Sequence, residues 1–207
     1  SCNLAAAQFA LTLKRTQYYK FLRGCGITVP MRTGMPAEAR GSLPRLEELT
    51  VRDQANLGFG QGVMVTDIQV ANAIAAVVNG GRLMQPHIVR ALADPTDNHI
   101  VREIPPVQIG TACSPQTSAK VRRMMGAVVT EGTGRPAFIS EEMPVGGKTG
   151  TAQKYDKKSR RYLEGRNLVS FVLVAPLDQP RFVVLFTADE PSCGGHGSDV
   201  DAPRARE

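Results

Sequence analysis

The 207-residue sequence contains no tryptophan, and aromatic residues make up only 5% of its positions. The formal net charge is +6, which by itself would suit a nucleic-acid partner, and the scarcity of aromatic residues helps to decide whether it does. Proteins that bind single strands combine basic side chains with aromatic rings on which the bases stack. Here two tyrosines flank the densest basic run, which comprises Lys154, Lys157, Lys158, Arg160 and Arg161. We therefore expect no nucleic-acid partner, and the run predicts a solvated β-hairpin or loop.

The sequence also lacks any uninterrupted apolar run near the roughly 18 residues of a membrane span. Its four cysteines include no Cys-x-x-Cys pair, and Cys193 with His196 makes only one potential pair of metal ligands. We therefore expect no metal site. If residues 3–23 form one helix, a rise of ~1.5 Å per residue separates Cys2 and Cys25 by about 30 Å, which excludes a disulfide between them. The cysteine count alone leaves the redox compartment open.

The remaining composition is that of an ordinary globular domain. Hydrophobic residues make up 42% of the sequence and charged residues 21%, and the length is sufficient for a sizeable core. The sequence begins with Ser1 rather than methionine. We interpret residues 1–207 as part of a longer polypeptide whose targeting segment lies outside them.

The first quarter of the sequence predicts one helix followed by irregular chain. Residues 3–23 are rich in alanine and leucine, and two glycines after them supply the stop. Residues 27–57 lack a clean period and contain several prolines. We interpret this segment as a long surface excursion, of a kind that often edges a binding cleft.

Two further helices carry clear start signals. Thr66 and Gln69 form a capping box, and the helix that follows is expected to end at Asn79. Ser114 is a candidate N-cap, and Pro115 suits the first position of the next helix.

The last third of the sequence changes to the composition of β-strands. The runs "NLVSFVLVAP" and "RFVVLFTAD", joined by the short turn "LDQP", predict an antiparallel hairpin of buried strands. We place residues 145–154 on a strand of the same sheet. The expected fold class is therefore α/β in the broad sense (α+β), an antiparallel sheet flanked by helices.

The stretch "PVGGKTGTAQK", residues 144–154, combines a cation, hydroxyls and glycine-rich backbone. A P-loop is excluded, because its first glycine would fall at Glu142 and Pro144 lacks an N–H donor. Lys148, two threonine hydroxyls and the Thr151 N–H would instead suit a substrate with a carboxylate and a carbonyl under attack. Glycines would leave the backbone of this strand open to a ligand. The alternative is an edge strand with an exposed lysine and turn glycines.

A second motif lies at the start of the sequence, where Ser1 and Asn3 form Ser-x-Asn at a predicted helix start. Plain N-capping is the alternative explanation. Together with Lys-Thr-Gly, however, this motif is a component of penicillin-binding proteins and serine β-lactamases. The sequence resembles the transpeptidase domain of a class B penicillin-binding protein over roughly residues 1–192. Other stretches with that resemblance, in order, are "TGMPAEARGSLP", "GFGQGVMVTDIQVANAIAAVVNGG", "GTG" at 132–134, "GKTGTAQ" and "VAPLDQPRFVVL".

The resemblance implies a D,D-transpeptidase that crosslinks peptidoglycan stem peptides ending in D-Ala-D-Ala and is inhibited by β-lactams. It calls for no metal and no organic cofactor. It implies a catalytic set of three residues, in which Ser1 relays a proton to the leaving group, Asn3 hydrogen-bonds the substrate amide and Lys148 supplies positive charge.

The resemblance also implies the substrate-binding residues. Thr149, Gly150 and Thr151 would hold the substrate or the β-lactam. The two hydroxyls would bind its carboxylate, and the Thr151 N–H would form half of the oxyanion hole.

One motif of the family is absent from the sequence. No serine is followed three residues later by lysine; Ser42, with Arg45, comes nearest. We therefore expect the Ser-x-x-Lys nucleophile to precede residue 1, so that residues 1–207 are a partial transpeptidase domain that is not acylated by itself. The end also departs from the family, because the Ala202-Pro203 pair that would open a last helix is followed by only four residues.

Three alternatives remain at this stage. They are a catalytically inactive module that senses β-lactams or cell-wall fragments, a structural partner in cell-wall assembly that uses residues 27–57, and a serine β-lactamase. By the resemblance, the partners are stem peptides, β-lactams and cell-wall synthesis or division proteins. The location is extracytoplasmic, with a membrane anchor upstream.

Overall fold

The structure is a computed structural model that describes residues 2–156, 158–159, 161–192 and 200–206. Six helices lie in these ranges: α1 Asn3–Thr12, α2 Arg15–Gly24, α3 Val51–Gly58, α4 Asp67–Val78, α5 Pro115–Thr130 and α6 Ala202–Arg206. A single 3₁₀ turn covers Arg135–Ala137. The described strands are β1 Arg82–Met84, β2 Ala91–Ala93, β3 Ile100–Glu103, β4 Gln108–Thr111, β5 Gly146–Asp156, β6 Arg161–Ala175 and β7 Phe182–Asp189.

The main sheet is antiparallel with the order β5-β6-β7, and two small sheets pair β1 with β4 and β2 with β3. Strand β6 is the central strand of the main sheet. Successive side chains of a strand point to opposite faces, and in the second half of β6 the side chains on both faces are buried. On one face Phe171 and Leu173 pack with residues of α5, the 3₁₀ turn and α6. On the other, Val172 and Val174 pack with α4 and α5. The predicted antiparallel sheet with flanking helices is confirmed.

The predicted helix starts at 66–69 and 114–115 are also confirmed. In α4 the Gln69 N–H donates to Thr66 Oγ1, and the Thr66 N–H donates to Gln69 Oε1. Gln69 is fully buried, and its Nε2 donates to the carbonyls of Val29 and Arg40 at 3.0 and 3.1 Å. A buried amide that is fully hydrogen-bonded avoids the cost of desolvation. Gln69 therefore holds the irregular chain after α2 against α4.

One prediction about the first quarter of the chain was wrong, and a second was correct only in part. The single helix over 3–23 is broken between α1 and α2, where Leu13 and Lys14 are extended. The segment 27–57 is irregular up to Thr50 and mostly exposed, as predicted, but it ends in helix α3 and buries Met31 and Leu49. The start of α3 is a second capping box, formed by Thr50 with Asp53, which the sequence analysis missed.

The break between α1 and α2 has a tertiary cause in α3. The buried amide of Gln54 donates from Nε2 to Ala10 O at 2.8 Å and to Leu13 O at 3.0 Å. These bonds satisfy carbonyls at the end of α1, which a continuing helix would otherwise satisfy itself. Gly58 allows close packing of the two helices, because a Cβ there would lie 2.7 Å from Ala10 Cβ and 2.8 Å from Ala6 O.

The thiols of Cys2, Cys25 and Cys113 are free, and the candidate pair Cys193 and His196 lies outside the described residues. The geometric exclusion of a Cys2–Cys25 bridge assumed an unbroken helix and no longer holds. Burial, with a smaller contribution from Cys113, raises the pKa of Cys25 to about 11, so this thiol stays protonated at neutral pH.

No helix within the described ranges is both long enough and apolar enough to cross a membrane. In the same part of the chain, no three histidine, cysteine or acidic side chains are grouped so that they could hold a metal ion.

We expect Gly58→Ala to lower the free energy of unfolding by roughly 1–3 kcal/mol, because the added methyl group forces α1 away from α3. Urea unfolding of the variant and the parent protein tests this. Gly24→Ala is the matched control, since a Cβ at this helix end meets no atom within 4 Å. Equal stability of the Gly58 variant and the parent would contradict the close packing of α1 on α3.

Candidate active site

The Lys-Thr-Gly-Thr segment lies in the first half of β5, which is an edge strand of the described sheet. Its pairing with β6 is regular from Gly146 to Gln153, with Thr149 opposite Phe171 and Gly150 opposite Ser170. Strand β6 covers one edge of β5. The backbone groups along the other edge of β5, which no described strand covers, are those available to a ligand.

The direction of these backbone groups follows from one hydrogen bond. Lys148 Nζ donates to the Thr149 carbonyl at 2.8 Å. This carbonyl therefore points away from β6, toward the open edge. In an antiparallel ladder the backbone groups of alternate residues point to the same side, so the Thr151 N–H points to the open edge as well. The edge thus offers a backbone donor two residues beyond the lysine.

The hydroxyl of Thr149 lies close to the hydroxyl of Thr133 and to the ammonium of Lys148. Thr149 Oγ1 lies 3.1 Å from Thr133 Oγ1 and 3.5 Å from Lys148 Nζ. Thr133 belongs to the turn after α5 and was not among the predicted site residues. Its signal in the sequence was the "GTG" at 132–134, which entered the sequence analysis only as part of a family pattern.

Glycines of β5 have a packing role in addition to the predicted opening for a ligand. A Cβ at Gly147 would lie 2.4 Å from Phe171 Cζ, and one at Gly150 would lie 2.4 Å from Ser170 Oγ. Both contacts are far closer than a real Cβ can approach, so these positions let β5 lie directly against the side chains of β6.

The two lysines of β5 lie in opposite electrostatic environments. Desolvation by the surrounding protein lowers the pKa of Lys148 from the ordinary 10.5, although part of the side chain remains exposed. Lys154 instead donates to Glu190 Oε1 at 2.8 Å and to Asp189 at 2.9 Å, and these carboxylates raise its pKa. An anion bound at the open edge would restore part of the stabilisation that the Lys148 ammonium lost on desolvation.

The Ser-x-Asn segment is described only from its second residue, and Ser1 lies outside the described residues. Cys2 occupies the N-cap of α1 without a side-chain hydrogen bond, and Asn3 is the first helical residue and exposed. Asn3 is therefore not the N-cap that the alternative explanation required. Within the described residues, hydrogen bonds join Lys148, Thr149 and Thr133 but none joins Asn3 to β5.

We expect Lys148 to lose its proton below pH 10.5 and Lys154 above it, because burial disfavours the first ammonium and carboxylates favour the second. NMR of the protein with ¹³C-labelled lysine, titrated through the alkaline range, measures both. Lys148→Arg and Lys154→Arg assign the two signals. Lys148 titrating at or above the pH of Lys154 would contradict the electrostatic account of this strand.

Comparisons with known proteins identify the family of the chain. The sequence matches the family model described as "Penicillin binding protein transpeptidase domain" over residues 1–207. Stage V sporulation protein D of Bacillus subtilis is 39% identical over 191 residues, which cover 92% of this chain and 29% of that protein. The probable peptidoglycan D,D-transpeptidase PenA of Neisseria meningitidis is 28% identical over 202 residues, which cover 98% of this chain and 32% of that protein.

The fold is likewise similar to solved structures. Penicillin-binding protein 3 from Mycobacterium tuberculosis, solved in complex with aztreonam, superposes with a TM-score of 0.89 at 29% identity, covering 99% of this chain and 47% of that one. The chain thus spans about a third of the length of the two relatives above. The resemblance inferred from the motifs is confirmed: the chain belongs to the penicillin-binding protein transpeptidase family.

Proposed function

We propose that the chain is part of a serine-type peptidoglycan D,D-transpeptidase that β-lactams inhibit. The observation that carries the proposal is the open edge of β5, where the Lys148 ammonium, the Thr149 hydroxyl and the Thr151 N–H lie together. These groups match a donor that has a carboxylate at its end and a carbonyl under attack. Family membership and the similarity to the probable D,D-transpeptidase PenA support the same activity.

Thr149 and Thr151 bind the terminal carboxylate of the donor peptide in this proposal, with Gly150 between them so that β5 stays close to β6. Lys148 contributes positive charge, and the partial desolvation of its ammonium strengthens its attraction to an anion. The Thr151 N–H donates to the oxygen that becomes negative when the carbonyl is attacked.

The reaction that we propose is acyl transfer through a covalent intermediate. A serine hydroxyl forms a C–O bond with the carbonyl carbon of the penultimate D-alanine, and the peptide C–N bond breaks. Ser1 passes a proton to the departing nitrogen, and D-alanine leaves. Asn3 hydrogen-bonds the amide of the donor. An amine on a neighbouring stem peptide then attacks the ester, releases the serine and completes the crosslink.

We further propose that residues 1–207 are a partial transpeptidase domain, and that a Ser-x-x-Lys segment before Ser1 supplies the attacking serine. The 207 residues alone are then inactive. Since the substrate lies outside the cytoplasmic membrane, the domain acts on the extracytoplasmic side, held by an anchor outside these residues. Proteins of cell-wall synthesis or division are its expected partners.

Labelling with a fluorescent penicillin tests the function, with intact mass as the readout. We expect the full-length protein to gain one penicillin, because the attacking serine opens the β-lactam ring and remains esterified. The 207-residue chain should gain none. Heat-denatured full-length protein is the control for nonspecific attachment.

Each departure from this result has a distinct meaning. A full-length protein that resists labelling would favour a catalytically inactive binding module. Labelling of the 207-residue chain would show that the nucleophile lies within it. Rapid release of the adduct by water would favour a β-lactamase.

A further inference from the structure

Two backbone hydrogen bonds hold the turn that carries Thr133 at the end of α5. The N–H groups of Gly132 and Gly134 both donate to the Val128 carbonyl, at 3.1 and 2.9 Å. A Cβ at Gly132 would lie 3.0 Å from that carbonyl oxygen, and one at Gly134 would lie 3.1 Å from it. The glycines on both sides of Thr133 thus let the turn fold back onto α5, and the shared carbonyl fixes the backbone of the threonine between them.

This turn is also aligned with one particular position of the sheet. Gly134 is buried, and a Cβ there would lie 3.3 Å from Phe171 Cε2. Phe171 is fully buried and pairs with Thr149 in the register of β5 and β6. Phe171 therefore packs against the turn and also occupies the position of β6 that pairs with Thr149. Thr133 itself is exposed, with its hydroxyl 3.1 Å from that of Thr149.

The hydrogen-bonding capacity of a threonine hydroxyl limits what Thr149 can do. A hydroxyl has one proton to donate and two lone pairs that accept. If Thr149 gives its proton to a ligand carboxylate, it must accept from other donors. Within the described residues, Thr133 Oγ1 at 3.1 Å and Lys148 Nζ at 3.5 Å are the side-chain groups placed to donate to Thr149 Oγ1. The shorter contact is the one to Thr133.

We propose that Thr133 is a positioning residue that directs the proton of Thr149 toward the carboxylate of the bound donor or β-lactam. This inference rests on the proposed function. When the anion is present, Thr133 donates to Thr149 Oγ1 and Thr149 donates to the anion, so both hydroxyl protons are ordered in one direction. The exposed position of Thr133 makes the hydroxyl pair a minor contributor to folding, because water replaces an exposed hydrogen bond at little cost.

The test measures the second-order rate constant for acylation of the full-length protein by penicillin. Thr133→Val keeps the shape of the side chain but removes the donor. We expect it to lower the rate constant about fivefold, the effect of losing one hydrogen bond, through weaker binding rather than a slower limiting rate. Thr133→Ser should restore most of the rate.

Thr130→Val is the matched control, because the Thr130 hydroxyl donates to Gly126 O within α5 at 3.3 Å and does not reach β5. We expect it to acylate like the unmodified protein. In a Thr149→Val background, Thr133→Val should have no further effect, since the hydroxyl through which it acts is gone.

Several outcomes would overturn the positioning role. They are a normal rate for Thr133→Val, a failure of Thr133→Ser to restore the rate, or an equal loss from Thr133→Val in the Thr149→Val background. An unmodified protein that is not acylated at all would refute the proposed function itself and this inference with it. The two failures are therefore distinguishable by the behaviour of the unmodified protein.

Discussion

Pairing of β5 with β6 in one register is the constraint on which the candidate site depends. A slip of one residue would exchange the faces of β5 and would turn the outward carbonyl of Thr149 toward β6. Gly147 supports this register, because any Cβ there would collide with the buried ring of Phe171 and with the backbone of Val172, and Gly150 lies directly against the hydroxyl of Ser170. The contact between Thr133 and Thr149 holds only while Phe171 lies opposite Thr149. The positions of the candidate site's side chains therefore depend on how the backbone of β5 pairs with β6.

Buried glutamines connect the irregular parts of the chain to this frame. Gln69 joins α4 to carbonyls of the segment after α2, and Gln54 joins α3 to the end of α1. Each amide is buried and hydrogen-bonded, so removal of either would take hydrogen bonds from the carbonyls of the segment that it joins. Through Gln54 and the packing at Gly58, helix α3 determines where α1 lies, and α1 begins with Asn3.

The two lysines of β5 differ in what surrounds their charges: Lys154 is paired with carboxylates of the fold, and Lys148 lies at the candidate site. At its far end, Lys154 is neutralised by Asp189 and Glu190, which belong to the end of β7 and the residue after it. Near its beginning, Lys148 is partly desolvated and lies against two polar oxygens of Thr149. A desolvated cation next to hydroxyls and an outward N–H is an arrangement that favours an anionic ligand.

Local signals in the sequence predicted those features that a few neighbouring residues determine. The helix starts at 66–69 and 114–115, the pairing of the β6–β7 hairpin and the strand at 145–154 were correct, because capping and strand patterns act over a few positions. The expected burial of both hairpin strands was right for β6 but wrong for β7, where every residue is exposed or half-buried. The Ser-x-Asn and Lys-Thr-Gly motifs, with the other matching stretches, likewise identified the family from the sequence alone. Tertiary structure decided the rest. The helix predicted over 3–23 breaks because Gln54, 44 and 41 positions away, bonds its carbonyls. Thr133 joins the site only because the turn after α5 packs beside β5, a proximity that no local pattern encodes.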